Sequence, residues 1–182
     1  MPTIEYELRV LEVDTDLLIE KIEKLGGKLV GEYDFKRYVF DTIPKTKGRW
    51  IRLRTNGKTS TLGVKQIDKD TVDGTLEWEI SVANFNKTIL LLEKMGINPK
   101  GYQENKRIEY RLKKVVLALD IWPHIPPYLE IEGPNHESIK ECAKLLGYKA
   151  SDLTAENNQK IYLRYGIDIE KKPDLRFDKK IL

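Results

Sequence analysis

Apolar residues recur along much of this chain at every second position, in short runs bounded by turn residues, and that period belongs to strands. The first run, TIEYELRV at 3–10, places Ile4, Tyr6, Leu8 and Val10 on one face and Glu5, Glu7 and Arg9 on the other. Related alternation returns in RWIRLRT at 49–55, STLGVKQI at 60–67, TLEWEISV at 75–82, VVLALDIW at 115–122 and YLEIEGP at 128–134. Two longer stretches, KLVGEYDFKRYVFDT at 28–42 and KGYQENKRIEYRL at 100–112, also read as strands, which makes eight. Asn56-Gly57-Lys58 between two of them is a hairpin signal.

Between the strands the period changes to that of a helix. DTDLLIEKIEKLGG at 14–27 opens on a cap, Asp14 or Thr15, carries Leu17, Leu18, Ile22 and Leu25 as an apolar stripe, and stops at Gly26-Gly27. NKTILLLEKMG at 86–96, NHESIKECAKLLG at 135–147 and TAENNQKIYLRYG at 154–166 predict three more helices. A loose repeat emerges: Glu5-x-Glu7, Glu77-x-Glu79 and Glu130-x-Glu132 each lie on a strand that leads into a helix ending in glycine.

The other strands share the pattern with the sign reversed, since Arg52 and Arg54 alternate with Ile51 and Leu53, Lys65 with Val64, and Arg107 and Arg111 with Ile108 and Tyr110. Each helix must bury its stripe, and the extended apolar surface on offer is the apolar face of these strands. Pattern alone leaves two arrangements: an open sheet whose charged face is solvated, or a closed barrel with helices outside and charges inside. Closure removes exposed sheet edges, and the mixing of both signs on one face suits mutual neutralisation in an interior. The expected fold is therefore α+β, an eight-stranded antiparallel β-barrel with amphipathic helices packed on its outside.

Composition narrows the setting. The 182 residues fit one domain, 40% are hydrophobic, and no apolar run approaches the ~18 residues of a membrane span. The start lacks the basic and apolar regions of a secretory signal, and the single cysteine, Cys142, has no partner for an internal disulfide, so a cytoplasmic location is expected. Net charge is only +3 although 34% of residues are charged, so attraction for a ligand depends on where charges sit. His124 and His136 lack metal-ligand spacing, and Trp50, Trp78 and Trp122 read as packing residues. The tail IEKKPDLRFDKKIL at 169–182 has few apolar residues and reads as poorly ordered or an edge decoration, leaving 1–168 as the folded domain.

A lining of this kind selects its ligand by chemistry. Arginine and lysine match phosphate oxygens, and clustered carboxylates match hard divalent cations that bridge to phosphates. A polyphosphate held with Mg2+ or Mn2+ satisfies both sets. Basic residues interleaved with acids do not form the stripe of a nucleic-acid surface.

The ordered motifs resemble those of the CYTH superfamily, also called triphosphate tunnel metalloenzymes. Its first motif is Glu-x-Glu-x-Lys, for which EYELR supplies Glu5, Glu7 and Arg9, and the likeness continues through RLR at 52–54, GVK at 63–65, LEWE at 76–79, KR at 106–107, LALD at 117–120 and YLEIEG at 128–133. The resemblance implies a triphosphate tunnel with Glu5, Glu7, Glu130, Glu132 and Asp120 toward metal, Arg9, Arg52, Arg54, Lys65, Arg107 and Arg111 toward triphosphate, and Glu5, Glu7, Asp120 and Lys65 as the catalytic set. Glu77 and Glu79 either help with metal or basic residues, or form structural ion pairs. Arg9 replaces the usual lysine, and Asn105 stands where a second inward cation is expected, with Arg111 the candidate substitute. Hydrolysis of inorganic or nucleoside triphosphate is the first expectation, conversion of ATP to cyclic AMP and pyrophosphate the second, and a non-catalytic nucleotide- or polyphosphate-binding module the third. The partner implied is a small-molecule triphosphate, and a homodimer is compatible with the pattern.

Overall fold

The computed structural model describes residues 3–69 and 71–178. Its strands are β1 (Thr3–Val10), β2 (Lys28–Asp41), β3 (Arg49–Thr55), β4 (Ser60–Ile67), β5 (Thr75–Ser81), β6 (Pro99–Leu112), β7 (Val115–Ile121), β8 (Tyr128–Gly133) and the short β9 (Leu153–Thr154). The helices are α1 (Thr15–Lys24), α2 (Phe85–Lys94), α3 (His136–Leu145) and α4 (Asn158–Arg164). Strand order is β5-β4-β3-β2-β6-β7-β8-β1, and β1 pairs back onto β5, so eight antiparallel strands close into a barrel with β9 added outside on β1. The seam between β1 and β5 holds three residue pairs, Thr3 opposite Glu77, Ile4 opposite Leu76 and Glu5 opposite Thr75.

Local chemistry explains the boundaries. Asp14 caps α1 by accepting from the backbone N–H groups of Asp16 and Leu17, and Asn84, Asn135 and Asn157 cap α2, α3 and α4 in the same way. The C-terminal ends of α1 and α2 run into Gly26 and Gly96, whose positive φ takes the chain out of the helix at no steric cost. In the β3–β4 hairpin the Asn56 carboxamide accepts from the N–H groups of Lys58 and Thr59, and Gly57 supplies the left-handed residue.

The apolar core is a layer outside the barrel. Leu8 and Val10 of β1, Leu117 and Leu119 of β7, and Leu129 and Ile131 of β8 pack against Leu18 and Ile22 of α1 and Ile139, Cys142 and Ala143 of α3. A second cluster puts Leu92 of α2 on Phe40 and Leu53, and a third gathers Trp122, Ile125, Tyr128, Ile161, Tyr162 and Leu175 beside α4. The stripe of α1 is narrower than its sequence suggests, because Leu17 stays 65% exposed while Leu18 and Ile22 are buried. Cover is also uneven, since Trp78 and Ile80 on the outer face of β5 are exposed, so Trp78 is not under a helix.

The described part of the C-terminal stretch decorates an edge of β6. Leu175 is fully buried, its N–H donates to Tyr102 and its carbonyl accepts from Glu104, so residues around it are tied to the barrel; Lys179–Leu182 lie outside the described residues. No helix among the described residues is long and apolar enough to cross a membrane.

An outer core predicts unequal costs for two outward-facing residues. Leu117→Ala should lose about 2–5 kcal/mol in urea unfolding, because it leaves a cavity under the helices. Ile80→Ala, at 65% exposure, should stay within about 0.5 kcal/mol. Equal losses would contradict the assignment of the core.

Candidate active site in the barrel lumen

The period of two that sends apolar residues outward sends their neighbours into the lumen. Glu5, Glu7 and Arg9 enter from β1, Arg52 and Arg54 from β3, Lys65 from β4, Glu77 and Glu79 from β5, Arg107 from β6, Asp120 from β7, and Glu130 and Glu132 from β8. Register then decides who meets whom. Arg9 lies opposite Glu130 and Glu7 opposite Glu132 across the β1–β8 ladder, while Arg107 lies opposite Asp120 across β6–β7.

Ion pairs knit these side chains together. Arg9 donates Nε and Nη2 to Glu130 at 3.1 and 2.8 Å and Nη2 to Glu7 at 2.8 Å, and its Nη1 reaches the Glu156 carbonyl at 2.8 Å. Arg107 forks onto Asp120, Nε at 2.8 Å and Nη2 at 2.5 Å, with a further bond to Glu130 at 2.9 Å. Arg52 Nη2 bridges Glu77 at 2.6 Å and Glu79 at 2.9 Å, and Arg54 stands 3.7 Å from Glu79 with its guanidinium over the Phe35 ring. Lys65 Nζ binds both oxygens of Glu5, at 2.8 and 2.7 Å, and lies 3.5 Å from Glu77. Glu77 and Glu79 thus sit against the cations of β3 and β4.

Two sectors differ in charge balance. Burial pushes Glu130 upward, but Arg9 and Arg107 outweigh it and hold this carboxyl well below the usual range. For Glu77 too the upward effect of burial is overcome, by a hydrogen bond with Glu5 and by Lys65 and Arg52. At the seam the opposite holds. Burial raises Glu5 to about 7, and a hydrogen bond with Glu77 pushes it the same way against Lys65. Glu132, which reaches solvent at the mouth, is raised to about 7 by its partly enclosed position and by Glu130, Glu5 and Glu7. Glu7 is raised as well, by burial first, with Glu130 and Glu5 opposing the pull of Arg9.

Glu5, Glu7 and Glu132 are thus carboxyls raised first by burial and further by neighbouring carboxylates, and their oxygens are donors of the kind that suits a hard divalent ion. No hydrogen bond or ion pair reaches Glu132 among the described residues, and among these no three acidic, histidine or cysteine side chains are already gathered in metal-ligating geometry. The donor chemistry fits such an ion, with Glu5 and Glu7 exchanging their present cation partners for it.

Arg111 is the predicted site residue that the structure does not bring into this cluster. It has the lumen's parity, but it lies four positions beyond Arg107 on a 14-residue strand, is exposed, and pairs in register with Lys28 and Val116 near the strand's end. The sequence reading missed Arg37. It enters the lumen from β2, is buried, receives Asn105 as a hydrogen-bond partner, and lies 4.5 Å over the Trp122 ring. The signal was faint because β2 carries large apolar residues on both faces, Phe35 and Val39 beside Arg37 and Tyr38 and Phe40 opposite. Trp122 accordingly packs against a lumen cation as well as Tyr162. A separate cleft of about 560 Å3, lined in part by Glu12, Tyr148, Asp152 and Arg164, lies outside the barrel and shares none of these residues.

The CYTH domain family matches this chain over residues 1–161. The chain belongs to the CYTH family. Solved structures share the fold. PH1012 from Pyrococcus horikoshii OT3 is 23% identical, with 85% of this chain and 96% of that one covered and a TM-score of 0.74. A protein described as a candidate adenylate cyclase from Vibrio parahaemolyticus is 15% identical, covering 90% of this chain and 99% of that one at a TM-score of 0.74. HpAC1 from Hippeastrum, described as an adenylyl cyclase candidate with a dominant triphosphatase activity, is 20% identical over 91% of this chain and 96% of that one, with a TM-score of 0.60. No curated protein matches the chain significantly. The chain shares the fold of these structures, its lumen is lined by charges of both signs, and membership of the family implies a divalent metal.

Glu5 and Glu132, both raised to about 7 from 4.5, make a pH prediction for the metal-free protein. The native state holds protons that the unfolded chain has already released, so stability should fall as pH rises from about 4.5 to 7. Thermal melting in chelator should show a lower midpoint at the top of that window than in its middle, and Glu132→Gln should flatten the slope. A midpoint that climbs through the same window would contradict the clustering of these carboxylates.

Proposed function

We propose that this protein hydrolyses a triphosphate held inside the barrel, with inorganic triphosphate or a nucleoside triphosphate as substrate. The observation that carries the reading is the sorting of charge: guanidinium groups of Arg37, Arg52 and Arg54 gather on β2 and β3, and carboxylates of Glu5, Glu7 and Glu132 on β1 and β8. An anionic chain laid across the lumen would meet cations on one side and a metal-binding set on the other. HpAC1, a protein of this fold, has triphosphatase as its dominant activity, and that agrees with the choice.

In this reading Arg9, Arg52, Arg54, Lys65 and Arg107 bind phosphate oxygens, with arginine forks offering paired N–H donors. Glu77 and Glu79 hold Arg52 and Arg54 in place, and Asp120 does the same for Arg107, so these three are positioning residues. Glu5, Glu7, Glu130 and Glu132 would hold Mg2+ or Mn2+, which when bound neutralises phosphate charge and orients the reacting groups. Glu130 already has both oxygens engaged by Arg9 and Arg107, so its larger part is to organise those cations. Water attacks the terminal phosphorus as the bond to the bridging oxygen breaks. In this reading a carboxylate of the lumen takes the water's proton, and Lys65, paired with Glu5 in the ligand-free barrel, steadies the leaving oxygen.

Incubation with inorganic triphosphate or ATP and Mg2+ or Mn2+ should release orthophosphate, resolved from other products by chromatography. Cyclic AMP with pyrophosphate would make the protein a cyclase instead, and binding without turnover would make it a non-catalytic module. Glu132→Gln should raise the metal concentration needed for half-maximal turnover by roughly tenfold or more, since losing even an outer-shell partner of a metal site costs about 10- to 100-fold. An unchanged metal requirement would remove Glu132 from the metal set.

A further inference from the structure

Every predicted lumen cation that reaches the cluster has a carboxylate partner, whereas Arg37 has none within ion-pair distance among the described residues. Arg9 has Glu7 and Glu130, Arg52 has Glu77 and Glu79, Arg54 has Glu79, Lys65 has Glu5 and Glu77, and Arg107 has Asp120 and Glu130. Arg37 is 8% exposed, and its Nε is buried with no hydrogen-bond partner. Its neighbours across the ladders are Arg54 on β3 and Gln103 on β6, so register adds a like charge and a neutral amide but no acid. Burial lowers the proton affinity of Arg37, and Arg52 and Arg54 lower it further, yet a guanidinium remains charged at neutral pH.

Two contacts fix the orientation of this side chain. Asn105 accepts a hydrogen bond from Arg37 through Oδ1 and donates Nδ2 to Asp120 at 3.0 Å. Asp120 is in turn saturated by the fork of Arg107, so its charge is already spent on another cation. The Trp122 ring covers one face of the Arg37 guanidinium at 4.5 Å. A cation–π contact and one neutral acceptor offset only part of the cost of enclosing a full charge. The buried Arg37 Nε–H still lacks an acceptor, which an anion would supply.

We propose that Arg37 is a phosphate-binding residue of this tunnel, and that on β2 it supplies the lumen cation that β6 lacks at Asn105. The assignment rests on the triphosphate reading above. It also explains the asparagine: Asn105 sits beside Arg37 in the β2–β6 ladder, opposite Phe35, and a lysine or arginine there would put two cations against one committed aspartate. One strand gives up the charge and its neighbour carries it. Trp122 then has a purpose beyond packing, since its ring lies against the Arg37 guanidinium.

The test measures binding of inorganic triphosphate by calorimetry in metal-free buffer, together with thermal melting of the ligand-free protein, for the wild type, Arg37→Gln and the double variant Arg37→Gln with Asn105→Lys. Arg37→Gln should weaken binding by roughly 10- to 100-fold, the range for a lost charge-assisted hydrogen bond, while ligand-free melting holds or rises because an unpaired buried charge is gone. Moving the cation to β6 in the double variant should restore most of the affinity. Unchanged affinity in a folded Arg37→Gln protein would overturn the assignment, as would failure of that variant to fold, which would give Arg37 a structural role. No recovery in the double variant would overturn the exchange between strands. A wild type that binds no triphosphate would sink the triphosphate reading itself, an outcome separate from the others.

Discussion

A carboxylate or guanidinium enclosed alone in a barrel costs several kcal/mol, so a lumen lined with such groups exists only if opposite charges meet across strands. That constraint governs this molecule. The β1–β8 register sets Arg9 against Glu130, the β6–β7 register sets Arg107 against Asp120, and the hairpin of β3 and β4 followed by β5 brings Arg52 and Lys65 to Glu77. A slip of one residue in any of these ladders would send charge into the apolar outer layer and apolar residues into the lumen. Helix packing and charge pairing are therefore two consequences of the same alternation.

Neutralisation is incomplete, and the remainder is not evenly spread. Glu5, Glu7 and Glu132 near the seam and mouth are carboxyls whose burial is not fully compensated by cations, while Arg37 has no carboxylate partner among the described residues and lies against Trp122. Between them lie pairs that hold each other in position. A ligand bearing phosphate oxygens would meet Arg52 and Arg54 already held by Glu77 and Glu79, so little reorganisation is needed inside a preformed field.

Much of this was readable from period and sign. Alternation assigned the faces of the strands, and the amphipathic helices fixed which face turned outward, because Leu18, Ile22 and Ile139 needed the surface that Leu117, Leu129 and Ile131 provide. Motif order placed the carboxylates of β1, β5 and β8 and the cations of β3 and β4. Three features were not readable for physical reasons. Arg37 was masked because Phe35 and Val39 share its face, which removes the polar–apolar contrast on β2. Arg111 follows the correct parity, but β6 runs past the part of the barrel where parity means enclosure. Leu175 is one of a few scattered apolar residues in a charged tail, and its burial depends on tertiary contacts with β6 that no local pattern encodes.

The central claim is that the enclosed charges form one binding site, and a crystal structure grown with inorganic triphosphate and Mn2+ tests it most directly. The account predicts phosphates within hydrogen-bond reach of Arg52 and Arg54 inside the barrel, with the anomalous signal of manganese beside Glu7 and Glu132. Triphosphate bound on the outer surface, with the lumen ion pairs of Arg52 and Lys65 unchanged, would contradict it.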